Sequence, residues 1–162
     1  SSTARSVFRE MRERFEVPPD VFTYTALMSV CGEAGKWEHA LDLLKEMKQA
    51  GLEPDVVTYN TLITACARGR RMEEAVALYA EMRRRQVAPS RITFNALIDA
   101  CAKCGHAEAA RGYLEEMVWE GFSPNTRTYN TLMSAFEQGG AWQQAMDLFW
   151  EMRDADVAMD VV

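Results

Sequence analysis

No apolar run in the 162-residue sequence approaches the about 18 residues that a helix needs to span a bilayer. No stretch has the layout of a signal or transit peptide, although the chain opens inside a helical pattern without an initiator Met, so a targeting segment could have been removed. Histidine is scarce, and there is no Ser-His-Asp or Cys-His set and no Gly-rich phosphate loop, so no catalysis is expected. The neighbouring glutamates Glu73-Glu74 and Glu115-Glu116 point in different directions around a helix and read as a solvated face. Cysteine is limited to four residues. Cys101 and Cys104 form a lone C-x-x-C, but no second pair lies at zinc-site spacing and neither His39 nor His106 completes a set, so no metal or cofactor is expected.

What the sequence has in abundance is itself. Residues 56–90 recur in register, without a gap, as 21–55, 91–125 and 126–160, a period of 35. The fourth position of each unit is aromatic (Tyr24, Tyr59, Phe94, Tyr129), the seventh is Leu (Leu27, Leu62, Leu97, Leu132) and the twentieth is Ala (Ala40, Ala75, Ala110, Ala145). A Glu-Met pair closes each second half. Cys31, Cys66 and Cys101 share one position that Phe136 takes in the last unit, so that column is a packing column. A fixed period in this range marks a solenoid, whose units bury their apolar faces by stacking on neighbours. Residues 1–20 read as the second helix and linker of a truncated unit, with Ala4, Val7, Phe8 and Met11 at helical spacing, and residues 161–162 as the start of a next one.

Within a unit, apolar residues such as Tyr59, Leu62, Ile63 and Cys66 make the stripe of a first helix. A Gly-rich break follows, at Gly35, Gly69, Gly105 and Gly139-Gly140, where a left-handed helix end is expected. Met72, Ala75, Val76, Tyr79 and Met82 make the stripe of a second helix, and turns such as residues 51–54 end it. The expected fold is all-α: stacked antiparallel helical hairpins which, as in helical-repeat families of this kind, wind into a right-handed superhelical solenoid.

The openings V-T-Y-N-T-L-I at 57–63, F-N-A-L-I at 94–98 and Y-N-T-L-M at 129–133, the M-E-E-A of 72–75 and the Pro-Asp or Pro-Ser ends resemble the pentatricopeptide repeat (PPR) family. The uniform period resembles its P-type subclass, and the resemblance covers essentially the whole chain. It implies sequence-specific binding of single-stranded RNA, one base per unit. The chain has a face suited to this, because positions two, five and nine lie together on the first helix, apart from the packing stripe. That face is Phe22, Thr25, Ser29; Val57, Asn60, Thr64; Ile92, Asn95, Asp99; and Arg127, Asn130, Ser134. Asn and Thr gain a helix little, although near a helix start they are tolerated for local bonding. The residues before each first helix, Asp20, Asp55, Ser90, Asn125 and Asp160, are all N-cap types. Capping alone would explain them; capping and base selection can also coexist.

By the resemblance, positions five and thirty-five of a unit read its base together. Thr25 with Asp55 implies guanine, Asn60 with Ser90 cytosine, Asn95 with Asn125 a pyrimidine favouring cytosine, and Asn130 with Asp160 uracil. With the amino end at the RNA 5′ side, the implied core is 5′-G-C-(C/U)-U-3′. Position two implies an apolar wedge between bases, which Phe22, Val57 and Ile92 fit and Arg127 does not, though a guanidinium can stack on a base or meet a phosphate. Position thirteen implies a phosphate contact, met by Arg68 and Lys103 but not by Glu33 or Gln138.

The net charge of −6 runs against a polyanionic partner, but its distribution matters more. Over positions one to fifteen of the units, Arg68, Arg70, Arg91, Lys103 and Arg127 oppose Glu33, Asp99 and Glu137, leaving +2 there and −8 on the remainder. Few phosphate contacts imply modest affinity and a shallow salt dependence. The competing reading is a protein-interaction solenoid that does not use RNA, and apolar surface on the end units makes self-association a further expectation. A chloroplast or mitochondrial setting, in RNA stabilisation, processing or translation, is implied by the resemblance alone.

Overall fold

The computed structural model describes residues 18–155, together with positions 6, 9, 10 and 13. The stripe expected at Ala4, Val7, Phe8 and Met11 lies outside the described residues, as do Asp160 and residues 161–162. From residue 18 to residue 155, eight helices of 13 residues follow one another: α1 (Val21–Glu33), α2 (Trp37–Gln49), α3 (Val56–Arg68), α4 (Met72–Arg84), α5 (Arg91–Lys103), α6 (Ala107–Trp119), α7 (Thr126–Gln138) and α8 (Trp142–Asp154). No strand occurs among the described residues, and no helix there is long and apolar enough to cross a membrane.

The odd-numbered helices stack in one row, α1 on α3 on α5 on α7; α2, α4 and α6 each pack on the helix before and the helix after, and α8 packs on α7. The row is close where residues are small. A Cβ added at Gly32 would stand 2.9 Å from the Ala65 Cβ. The core between the rows holds the expected Tyr59, Leu62, Ile63 and Cys66 from α3 and the expected Ala75, Tyr79 and Met82 from α4, all buried; Leu78 joins them, whereas the expected Met72 and Val76 are half-buried. Tyr79 spans units, with ring centroids 5.9 Å from Phe94 and 5.8 Å from Tyr113. Cys31, Cys66 and Cys101 lie in this core, and burial pushes the Cys66 thiol up to about 12 and the Cys101 thiol up to about 11. Cys104, in contrast, turns out to meet the Arg70 carbonyl at 3.2 Å.

Helices α1 to α7 end by the same device. The amide three residues past the last helical residue reaches back into the last turn, as from Lys36 to the Cys31 carbonyl (2.7 Å) and from Leu52 to the Met47 carbonyl (3.1 Å), with the residue just before that amide left-handed. The expected left-handed glycines are corrected in one unit. Gly69 has φ −79 and the left-handed residue is the next one, Arg70, at φ 56; Gln86 does the same at φ 59 in the later turn. The helix length fixes which residue reverses the chain, and Gly density only marks the neighbourhood.

The acidic pairs are also corrected. Neighbours on a helix diverge by about 100°, so only one of each pair faces solvent, and the second turns inward. Glu74 bonds Arg71 (2.5 Å), and Glu116 accepts from the Tyr79 hydroxyl. Glu81 gathers more, accepting from Lys48, from the Tyr59 hydroxyl (3.1 Å) and from Arg85 (3.2 Å). Burial and the Glu81 carboxylate push the Tyr59 hydroxyl well above its ordinary value, so it remains a donor.

Candidate nucleic-acid interface

The odd-numbered helices each start from a side-chain cap. Asp20, Asp55 and Asn125 accept from the amides of Thr23 (2.8 Å), Thr58 (2.9 Å) and Thr128 (2.9 Å) through Oδ1, and the hydroxyls of the same threonines reach the same oxygens. Ser90 joins through its own amide, which donates to Thr93 Oγ1 at 2.9 Å. The bonds from Thr23 hold the Asp20 carboxyl below the usual range. The side chains of Asp20, Asp55 and Asn125 therefore cap their helices, whereas at Ser90 the bond runs from its own amide to the threonine hydroxyl.

Because that capping residue opens the next unit's first helix, it lies beside position five of its own unit through the α1–α3–α5–α7 row. Asn60 Nδ2 donates to Ser90 Oγ at 3.0 Å, so this expected pair is in direct contact. Thr25 and Asp55 are joined through an intermediary: Thr25 Oγ1 lies 3.1 Å from Thr58 Oγ1, which donates to Asp55. Asn95 and Asn125 are joined likewise, both oxygens facing the Thr128 hydroxyl at 2.7 and 2.9 Å. Asn130 is exposed, and its partner Asp160 is outside the described residues.

The threonines at position three are residues to which the sequence reading assigns no role. Thr58, Asn60, Thr93 and Thr128 are the buried polar residues among the described residues, and all belong to this ladder. A polar column inside an otherwise apolar row was visible as Thr23, Thr58, Thr93 and Thr128 recurring at one position. A helical wheel shows that position is inward; it does not show what hydrogen bond satisfies it.

Two open grooves run along this row. One of about 270 Å³ is lined by Ser29, Val57, Asn60, Thr64, Arg68 and Ile92 among others. The next, about 370 Å³, is lined by residues including Ile92, Asn95, Asp99, Lys103, Asn125 and Arg127. Positions two, five, nine and thirteen of successive units are thus brought together. Position two stands out from the helices, with Phe22 81%, Val57 57% and Ile92 61% exposed, and Arg127 is exposed beside them. Of the position-thirteen cations, Lys103 is tied to Asp99 at 3.0 Å, while Arg68 is exposed. Glu33 and Gln138 are exposed at the same position and bring no cation to the face.

Bulky apolar side chains held in water next to the carboxamides of Asn60 and Asn95 make a surface able to stack flat rings and to hydrogen-bond their edges. The repeat and its fold are shared with known proteins. A profile described as the PPR repeat family matches residues 19–68, 54–103 and 89–138, and a PPR repeat profile matches 127–157. A chloroplastic pentatricopeptide repeat-containing protein of Arabidopsis thaliana is 40% identical over 50 residues, 31% of this chain and 7% of the relative. The crystal structure of the pentatricopeptide repeat protein PPR10 in complex with an 18-nt psaJ RNA element superimposes with a TM-score of 0.79 at 30% identity, over 97% of this chain and 25% of that one. The PPR domain of Arabidopsis thaliana protein-only RNase P 1, solved with tRNA, shares the fold at a TM-score of 0.80 and 16% identity, over 98% of this chain and 83% of that one. The chain spans about a quarter of PPR10 and a small part of the curated relative. Its unbroken 35-residue helical hairpins, and profiles that match them from residue 19 to residue 157, make it a member of the pentatricopeptide repeat family.

Proposed function

We propose that this chain binds single-stranded RNA, one base to each of the units 21–55, 56–90, 91–125 and 126–160, with the core 5′-G-C-(C/U)-U-3′. The observation that carries this reading is the line of exposed apolar side chains Phe22, Val57 and Ile92 alternating with the polar groups of Thr25, Asn60 and Asn95. A soluble helix row gains nothing from large apolar groups in water, whereas bases of a single strand need stacking surfaces and edge-directed donors and acceptors at regular intervals. PPR10, similar over nearly all of this chain, was solved with a single RNA element bound, which supports the same class of ligand here.

The roles follow from the chemistry. Phe22, Val57 and Ile92 separate successive bases, and Arg127 stacks through its guanidinium or meets a phosphate. Thr25/Asp55, Asn60/Ser90, Asn95/Asn125 and Asn130/Asp160 face base edges. Arg68 is the free backbone contact and Lys103 joins it once Asp99 yields. So few cations give a salt dependence with a log–log slope of magnitude about 1–2.

Equilibrium binding tests this reading, using a short unstructured RNA containing GCCU beside one with the core scrambled, at two salt concentrations. Preference for GCCU that disappears in Asn60→Ala/Asn95→Ala is the expected result. Equal, weak binding to both, erased by salt, overturns it and moves the protein-interaction reading ahead. The exposed Trp142, Met146 and Trp150 of α8 support self-association as well, which concentration-dependent sedimentation checks. A chloroplast setting, in RNA stabilisation, processing or translation, rests on the chloroplastic relative; imaging the tagged full-length protein decides it.

A further inference from the structure

We infer that the threonine at position three of each following unit orients the base-reading carboxamide of the unit before it, Thr93 for Asn60 and Thr128 for Asn95, and so sets how sharply that unit chooses its base. The inference rests on the proposed RNA reading for its consequence, but its structural half stands on the hydrogen bonds alone.

A hydroxyl has one proton to give. Thr93 Oγ1 already accepts the Ser90 amide at 2.9 Å, and its proton goes to Asn60 Oδ1. At its other end the same carboxamide donates from Nδ2 to Ser90 Oγ at 3.0 Å. Both ends of Asn60 are therefore assigned, oxygen toward Thr93 and nitrogen toward Ser90. Turning the amide over would give the Thr93 oxygen a second N–H donor, and would leave its own proton only Ser90 Oγ at 3.5 Å. What remains for a ligand is one N–H and one oxygen lone pair in a fixed order, the pattern that discriminates between base edges. Thr93 is fully buried and Asn60 nearly so, which keeps water from substituting for either bond.

The third unit is built more loosely. The Thr128 proton faces two carboxamide oxygens, Asn95 Oδ1 at 2.7 Å and Asn125 Oδ1 at 2.9 Å, and it can satisfy only one fully. Asn95 is half-buried where Asn60 is buried. The second unit is accordingly the sharper discriminator and the third the more permissive. Thr93 and Thr128 act through the carboxamides and are positioning residues.

The experiment uses Thr93→Val, which keeps shape and removes the hydroxyl, Thr93→Ser, which restores it, and Thr23→Val. Thr23 stands at the same position and bonds its own cap, donating its amide and hydroxyl to Asp20, but faces no position-five residue among the described residues. Binding is measured to GCCU RNA and to RNAs with each base substituted at the second and third positions. Thr93→Val is expected to reduce discrimination at the second base about fivefold, the worth of one neutral hydrogen bond, with the other positions unchanged. Thr93→Ser should retain it and Thr23→Val should leave all positions as they are. Undiminished discrimination at the second base in Thr93→Val overturns the inference, as does an equal loss at every base or in Thr23→Val. A second readout needs no RNA: in NMR spectra of the free protein the Asn60 Nδ2 proton directed at Ser90 should be protected from exchange relative to those of exposed Asn130, and lose that protection in Thr93→Val, which frees the carboxamide to turn. If wild type fails to prefer GCCU while this protection behaves as stated, the RNA reading fails and the orienting role stands; absence of this protection in wild type overturns the role itself.

Discussion

At the scale of single residues, the helix ends carry the most direct stability predictions. Arg70 and Gln86 hold the left-handed conformation that Gly35, Gly51, Gly105, Gly121 and Gly140 supply at the equivalent turns. A side chain there costs about 1–2 kcal/mol, offset in part by the greater freedom glycine has when unfolded. Arg70→Gly and Gln86→Gly should each stabilise the fold by about 0.5–1 kcal/mol in urea denaturation, whereas Gly121→Ala should cost about 1 kcal/mol. Gly32 is a different case, because its backbone is helical and the constraint is space. The added Cβ of Gly32→Ala would meet the Ala65 Cβ at 2.9 Å, so α1 must shift from α3 and stability should fall by about 1–3 kcal/mol. Glycines marked the turn regions in the sequence except after α4, where there is none, but not which residue reverses the chain. That depends on a helix ending at Arg68, which no local composition fixes.

Among the elements, the bonds between units are concentrated on Glu81, which joins α4 to Lys48 of α2 and Tyr59 of α3. Burial raises its carboxyl's pKa, but the bonds from Lys48, Tyr59 and Arg85 outweigh that and hold it below the usual glutamate value of about 4.3. Since the folded pKa lies below the unfolded one, the stabilisation is complete above about pH 4.3 and is lost as pH falls through the folded value. Glu81→Gln should therefore be destabilised by about 1–2 kcal/mol at pH 7, with the gap to wild type closing toward pH 3; denaturation midpoints across that range check it. Glu-Met recurs in the sequence as a pattern, and its Met reads at once as packing. The role of Glu was illegible there, because its partners Lys48 and Tyr59 sit in different helices and only the stacking brings them together. The same holds for the candidate site. Positions two, five and nine could be placed on one face from periodicity, yet the threonine beside positions five and thirty-five belongs to the neighbouring unit.

For the whole molecule, a row in which each helix touches only near neighbours predicts graded stability. α3, α4 and α5 have partners on both sides, whereas α8 packs chiefly on α7. Amide exchange should be slowest in α3–α5 and fastest in α8, and uniform protection across all the helices would contradict a nearest-neighbour solenoid. The architecture was the most legible feature of the sequence because a period of 35 states it four times over, each unit correcting the ambiguity of the others. The bonding of Asn60 to Ser90 and Thr93 carries one more consequence, for how such chains are recombined. The period read from the sequence and the hydrogen-bonded module are offset: a graft that begins a new unit at Arg91 separates Asn60 from its native Thr93. A segment intended to keep its ligand preference when transplanted must be cut after its neighbour's third residue, so that modules overlap by three residues rather than meeting end to end.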